Sequence, residues 1–284
     1  GNANECVAEL YGTLENGVYK AQTDNASDRF MLVDIAQNYS SPEIVGSIEN
    51  QNLHADKDID YVIVIPASGK YTEQANKLAA YHKQKKGLRV KVVRADQIYN
   101  EFSSGTPDAT AYRRYMKMLY DRASSADNMP RYLLFFGPCT YDNRMITSEW
   151  KKQNPNDYLL AYEKSRTDNT IGSYGIGTLN DYVTDDYYGY LDDNEGNNIQ
   201  TEKLDLAIGR FPCANETEAN TLTNNTLAYL DNENVGAWKN RMWAIGDVGD
   251  NNLHMNDAEG VSTQVKTSAN EGFMLRKIYP DAYE

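Results

Sequence analysis

The chain has 284 residues, 40% of them hydrophobic, enough for one large unit with a buried core plus a smaller segment. Its 41 acidic against 28 basic residues give a formal charge of −13, a balance that argues against nucleic-acid or acidic-membrane binding and suits basic groups or hard cations. No apolar run approaches the roughly 18 residues of a membrane-spanning helix, and Gly1–Leu10 carries no signal-peptide pattern, so an exported parent is expected to have lost its signal.

Residues 1–57 mix short strand-like runs, Gly17–Ala21 and Phe30–Ile35, with turn chemistry, and read as a β-rich arm at the end of a preceding segment. Asp60–Pro66 contains a continuous apolar run closed by Pro66 and Gly69, the pattern of a strand buried on both faces. Tyr71–Gly87 has helical spacing, with Ala75, Leu78, Ala79 and His82 on one stripe and Gly87 as its stop. Leu88–Val93 is the next strand, so the unit is strand–helix–strand.

The pattern repeats downstream. Pro107–Tyr120 is an amphipathic helix with Asp108 as its N-cap, and Arg131–Gly137 a second buried strand. Residues 141–180 are polar and read as a long surface excursion. Leu204–Gly209 and Trp243–Gly246 are strands, Glu216–Leu230 and residues 256–271 helices, and Phe273–Ile278 a last strand. The expected fold is α/β, a mostly parallel sheet with helices on both faces, preceded by the short β-rich arm.

Ligands of open parallel sheets bind beyond the carboxyl ends of the strands. Those ends deliver Cys139, Tyr141 and Asp142, then Arg210 and Cys213, then Asp247, Asp250 and His254. The phosphate cradles G-x-G-x-x-G and G-x-x-x-x-G-K-[ST], the nucleophile elbow G-x-S-x-G and the zinc spacing H-E-x-x-H are all absent from the sequence. Cys6, Cys139 and Cys213 form no C-x-x-C and are expected to be free thiols, buried rather than paired.

Several strings occur in a fixed order. They are Asn50–His54, Gln97–Gly105 with Pro107-Asp108, Tyr132–Gly137 with Tyr141–Arg144, Val183–Gly189 with Leu191-Asp192, Ala207–Pro212 with Glu218-Ala219, and Asp250–Met255 with Lys277–Tyr279. The ordered set resembles the gingipain-like cysteine peptidases, and among them the C-terminal signal peptidases of the type IX secretion system, from about residue 30 onward. The resemblance implies a caspase-like catalytic domain of two subdomains, here 58–125 and a partial 126–284. It also implies an exported, outer-membrane, cell-surface protein of a Gram-negative bacterium that works with other secretion components. Such an enzyme removes C-terminal secretion domains from cargo through a cysteine thiolate and a histidine, and can transfer the new C-terminus to a surface glycolipid, acting as a sortase.

The family's Gly-His-Gly string is absent and none of the three cysteines matches its nucleophile, so the chain by itself is expected to be inactive. The alternative is a non-catalytic surface binding module that kept the fold. Where the family pattern carries an acid after the strand ending at Gly137, this chain has Pro138. By the resemblance, Asp247 is either the acid that orients the catalytic histidine or only a turn residue. Asp257, or equally Asn256, holds the place that reads the residue before the scissile bond, or else simply opens a helix. His254 is expected to fix the loop by a hydrogen bond. Asp192, Asp193 and Asn194 pack oxygen ligands beside Gly196, either as a calcium loop, calcium being the one cofactor implied, or as a solvated acidic tip.

Overall fold

Tyr61, Ile63 and Ile65 turn to one face of a strand and Val62 and Val64 to the other, and none of the five is exposed. A strand buried on both faces must be covered on both, and the rest of the fold supplies the two covers. The computed structural model describes residues 11–22, 36–38, 40, 41, 43, 44, 46–165, 181–197, 201–233, 235–247, 249–266 and 272–279. The chain divides into two compact units, 1–49 and 50–284.

In the first unit, β1 (Thr13–Glu15) and β2 (Val18–Lys20) pair antiparallel. Asn16 and Gly17 join them with positive φ angles of 51° and 80°, which suits a tight two-residue hairpin. The second expected run, Phe30–Ile35, and Cys6 lie outside the described residues.

The second unit is built on β3 (Tyr61–Ile65), β4 (Val90–Arg94), β5 (Tyr132–Phe136) and β8 (Ala207–Phe211), all parallel and ordered β4-β3-β5-β8. Between them in sequence lie β6 (Tyr162–Ser165) and β7 (Asp181–Thr184), an antiparallel pair inside the stretch expected to be an irregular excursion. The helices α1 (Thr72–Lys86) and α4 (Glu216–Leu230) pack with Tyr61, Ile63, Leu134 and Phe136. The helices α2 (Ala95–Phe102) and α3 (Ala109–Asp121) pack with Val62, Val64, Leu133 and Phe135 on the opposite face. The period-two alternation of the strands thus sorts the core into two layers, as an α/β parallel sheet with helices on both faces requires. Strands β5 and β8 come from the sequence segment 126–284, yet they extend the sheet that β3 and β4 begin.

Local chemistry fixes the joints. Asp108 caps α3 by accepting from the amide of Thr110 at 2.8 Å, and Asn215 caps α4 through the amide of Glu218 at 3.0 Å. Gly87 ends α1 at φ 66°. Helix α2 follows β4 with no Gly or Pro between them, and so escapes the usual sequence punctuation; the Arg94 amide donates to the Gln97 side chain at 3.1 Å across its first turn.

Strands β9 (Arg241–Ile245) and β10 (Met274–Ile278) form a separate parallel pair, with α5 (Gly249–Val265) between them in sequence. The sequence places this helix at 256–271. The span opens instead with a kink at Asp250, Asn251 and Asn252, a left-handed turn of φ 52–64° that is not helical and that helical periodicity cannot reveal, and the right-handed helix follows it. Asn and Asp are the residues best able to adopt that conformation after Gly.

Candidate functional site

Asp247 lies two residues beyond β9, exposed, and its carboxylate finds no hydrogen-bond partner among the described residues. The turn behind it is tight. A Cβ on Gly246 would lie 2.8 Å from the carbonyl oxygen of His254, so glycine there lets the start of α5 press against the strand end. His254 Nε2 lies 3.4 Å from Asp250 Oδ2 on the exposed surface of that turn. Asn256 and Asp257 are exposed near the start of the right-handed part of α5. Further along, Glu259 meets Lys277 and accepts from the Tyr279 hydroxyl at 3.1 Å, tying α5 to the end of β10. The structure therefore gathers Asp247, Asp250, His254, Asn256 and Asp257 on one turn and the helix it opens, without a hydrogen bond from Asp247 to the others among the described residues.

The acidic loop has a different geometry from the one its sequence suggests. Asp192 stands with Glu195 and Asp205, their carboxylate oxygens all within 4.8 Å of one another. Asp193 turns to Lys117 instead, at 2.8 Å, and Asn194 sits in the left-handed turn at φ 70°. Asp205 Oδ2 accepts from the amides of Leu191 and Asp192 at 2.6 and 3.2 Å, and the Tyr120 hydroxyl donates to Asp192 at 2.8 Å. Arg113 donates to the carbonyls of Tyr190 and Glu195, both at 2.8 Å. Gly196 is at φ 93°, and a Cβ there would lie 3.0 Å from the Arg113 guanidinium, so the glycine is required by both conformation and space. Burial raises the Glu195 carboxyl pKa, and the neighbouring charges of Asp205, Asp192 and Glu202 push it the same way.

Three hard oxygen donors that repel one another fit a calcium ion, which would draw the remaining ligands from carbonyls and water. Asp192, Glu195 and Asp205 would hold it, and its charge would fix the loop. Asp205 stands thirteen residues from Asp192, beyond the reach of any local spacing pattern.

Other strand-end residues are structural. Arg210, half-buried in β8, grips Asp185 through two bonds of 2.8 and 2.7 Å and lies 4.6 Å from the Phe135 ring centroid. Asp142 is buried and accepts from the Thr147 amide at 2.7 Å. Cys213 is buried, as expected of a structural thiol, and burial pushes its pKa up to about 11; Cys139 is half-buried, and both are free.

This arrangement, a parallel α/β sheet with helices on both faces and carboxylates beyond the strand ends, defines the class. The model of peptidase family C25, the gingipain family, matches residues 54–284, and the chain belongs to that family. The chain is similar to the dimeric latent PorU of Porphyromonas gingivalis, whose crystal structure superposes with a TM-score of 0.61 at 39% identity over 73% of this chain. That overlap is 19% of the length of PorU, so the chain spans about a fifth of that relative. The fold is the caspase-like one of that neighbour. No curated protein sequence matches the chain.

Proposed function

We propose that the chain forms part of the catalytic region of a cysteine endopeptidase that removes C-terminal secretion signals from type IX cargo. The reading places it outside the cell, at the outer-membrane surface of a Gram-negative bacterium, among other secretion components. The same acyl-enzyme would pass the new C-terminus either to water or to a glycolipid amine. The family membership and the 39% identity to PorU support the peptidase class.

In this reading Asp247 accepts the N–H of the catalytic imidazole, holds its tautomer and stabilises the imidazolium formed when the histidine takes the thiol proton. Asp257 and Asn256 face the substrate side chain before the scissile bond, where a carboxylate favours a basic partner. The observation that carries the proposal is the exposed carboxylate of Asp247, without a hydrogen-bond partner among the described residues, just past a parallel strand end.

Asp247→Asn in the intact protein should lower kcat for a peptide substrate by roughly a hundredfold to ten-thousandfold with little change in KM. A kcat within about threefold of the parent would refute the role of Asp247. Calcium at Asp192, Glu195 and Asp205 adds a second test. Removing the ion with a chelator should lower Tm by a few degrees, about what 1–2 kcal/mol of linked binding supplies. Asp205→Asn should abolish that shift and Asp193→Asn should leave it. A chelator effect absent in the parent would remove the ion from the account.

A further inference from the structure

We propose that the cavity at the carboxyl ends of β3 and β5 binds a carboxylate carried on an apolar or aromatic body. The chain leaves β3 toward β4 on one side of the sheet and leaves β5 toward β8 on the other, so the order β4-β3-β5-β8 reverses direction between β3 and β5. Diverging connections open a crevice at such a point, the usual ligand position of open α/β sheets. A cavity of about 560 Å³ occupies it, bordered by Ala67 just after β3 and by Thr140 and Arg144 after β5. That is the size of a small-molecule site.

The lining is one-sided in charge. In a chain of net charge −13, no Asp or Glu borders this cavity among the described residues, and Arg144 is its one charged side chain. Every other described arginine between Asp60 and Phe211 donates to a carboxylate or a carbonyl. Arg144 alone has no such partner among the described residues. It also borders a neighbouring cavity of about 600 Å³ that contains Asp108, Asp142 and Glu163. Those carboxylates are taken by the amide of Thr110 at 2.8 Å, the amide of Thr147 at 2.7 Å and the Asn143 side chain at 3.3 Å.

The side chains of Asn156 and Tyr158, which line the same cavity, likewise make no hydrogen bond among the described residues, the Tyr158 ring resting edge-on against Trp150 with centroids 5.5 Å apart, and each can donate. Three unengaged donors, one of them a guanidinium, suit a carboxylate held by paired charge-assisted bonds. The accessible apolar surfaces of Pro107, Leu160 and Ala67 leave room for the body that carries it. Met145 follows Arg144 at φ 51°, a strained conformation closed by the hydrogen bond that its N–H donates to the Asp142 carbonyl at 2.9 Å.

The test is calorimetric titration of the intact protein with N-acetyl-L-phenylalanine, N-acetyl-L-phenylalaninamide and 4-phenylbutyrate. At least one acid should bind about tenfold more tightly than the amide, the effect of one charge-assisted contact. Arg144→Gln should bring the acid to the affinity of the amide, with an unchanged Tm because the side chain is exposed. Preference for the acetylated amino acid would identify a peptide chain end as the ligand, and preference for phenylbutyrate a simple organic acid; both support the site. Equal binding of acid and amide, no binding of either acid, or an acid affinity indifferent to Arg144→Gln would each overturn it.

Discussion

Strands β3 and β9 have similar apolar sequences, Tyr-Val-Ile-Val-Ile and Arg-Met-Trp-Ala-Ile, and opposite surroundings. In β3, Val62 and Ile63 are 0% exposed, whereas Trp243 and Ile245 of β9 are 54% and 69% exposed. Strand β3 is paired on both sides and covered by two helical layers. Strand β9 pairs with β10 alone, and α5 is the helix it packs with. The difference teaches that an apolar run specifies a strand but not how much of it is buried, because burial depends on neighbours distant in sequence. The four-stranded sheet therefore carries most of the hydrophobic stabilisation of this chain, and the strand pair beside Asp247 carries little.

The largest effect should come from the core. Phe135 is fully buried, with Tyr112 and Tyr188 rings 5.3 and 4.9 Å away, so Phe135→Ala should cost about 3–5 kcal/mol. Ile245→Ala removes a side chain that water already reaches, and should change stability by about 0.5 kcal/mol or less. Urea unfolding of both variants of this chain measures the contrast. Comparable losses in the two would break it.

Next in size is the clasp at the amino ends of the sheet strands. Asp60 is buried just before β3 and takes two bonds of 2.8 Å from the Arg89 guanidinium, with Arg131 at 3.2 Å. The hydrogen bonds from Arg89 outweigh burial and hold its pKa at about 2. Asp60→Asn keeps the volume and removes the charge. Since both arginines are well exposed, the loss should be about 1–3 kcal/mol rather than that of a fully buried pair. Denaturant midpoints for Asp60→Asn and Asp60→Ala check this, and a loss below about 0.5 kcal/mol in both would show that the clasp is ornamental to the fold.

The sequence announced β3, β5, α1, α3 and α4 because each has a clean period and a capping or stopping residue. It hid α2, which has no Gly or Pro before it, and the β6–β7 pair, which lies in a polar stretch. It also hid the left-handed turn at Asp250–Asn252, since three polar residues in a row read as loop or helix start alike. For the candidate sites, Asp247 and Asp192 stand out as acids at a strand end and in a Gly-containing loop. Glu195 and Asp205 do not, because they meet Asp192 only through folding. Arg144 was visible inside a family-like string, yet what distinguishes it, a cation beside a cavity with no anion partner among the described residues, exists only in three dimensions.

The smallest expected effect concerns the segment that leads into β3. Glu101 at the end of α2 accepts from the amides of Leu53 and His54 at 2.6 and 3.0 Å, from the Gln51 side chain at 2.8 Å and from His54 Nδ1 at 2.6 Å. Burial alone would raise its pKa, but these donors overcome it and bring the value from an ordinary 4.5 down to about 2. A depressed folded pKa means that the carboxylate stabilises the fold fully above 4.5 and loses that contribution as pH falls toward 2. Glu101→Gln should thus lower stability at pH 7 by about 1 kcal/mol and flatten the acid limb of the stability profile between those values. If Glu101→Gln leaves the acid limb as it is in the parent, the donors around Glu101 do not hold the segment, and the packing of Leu53 into the core alone must do so.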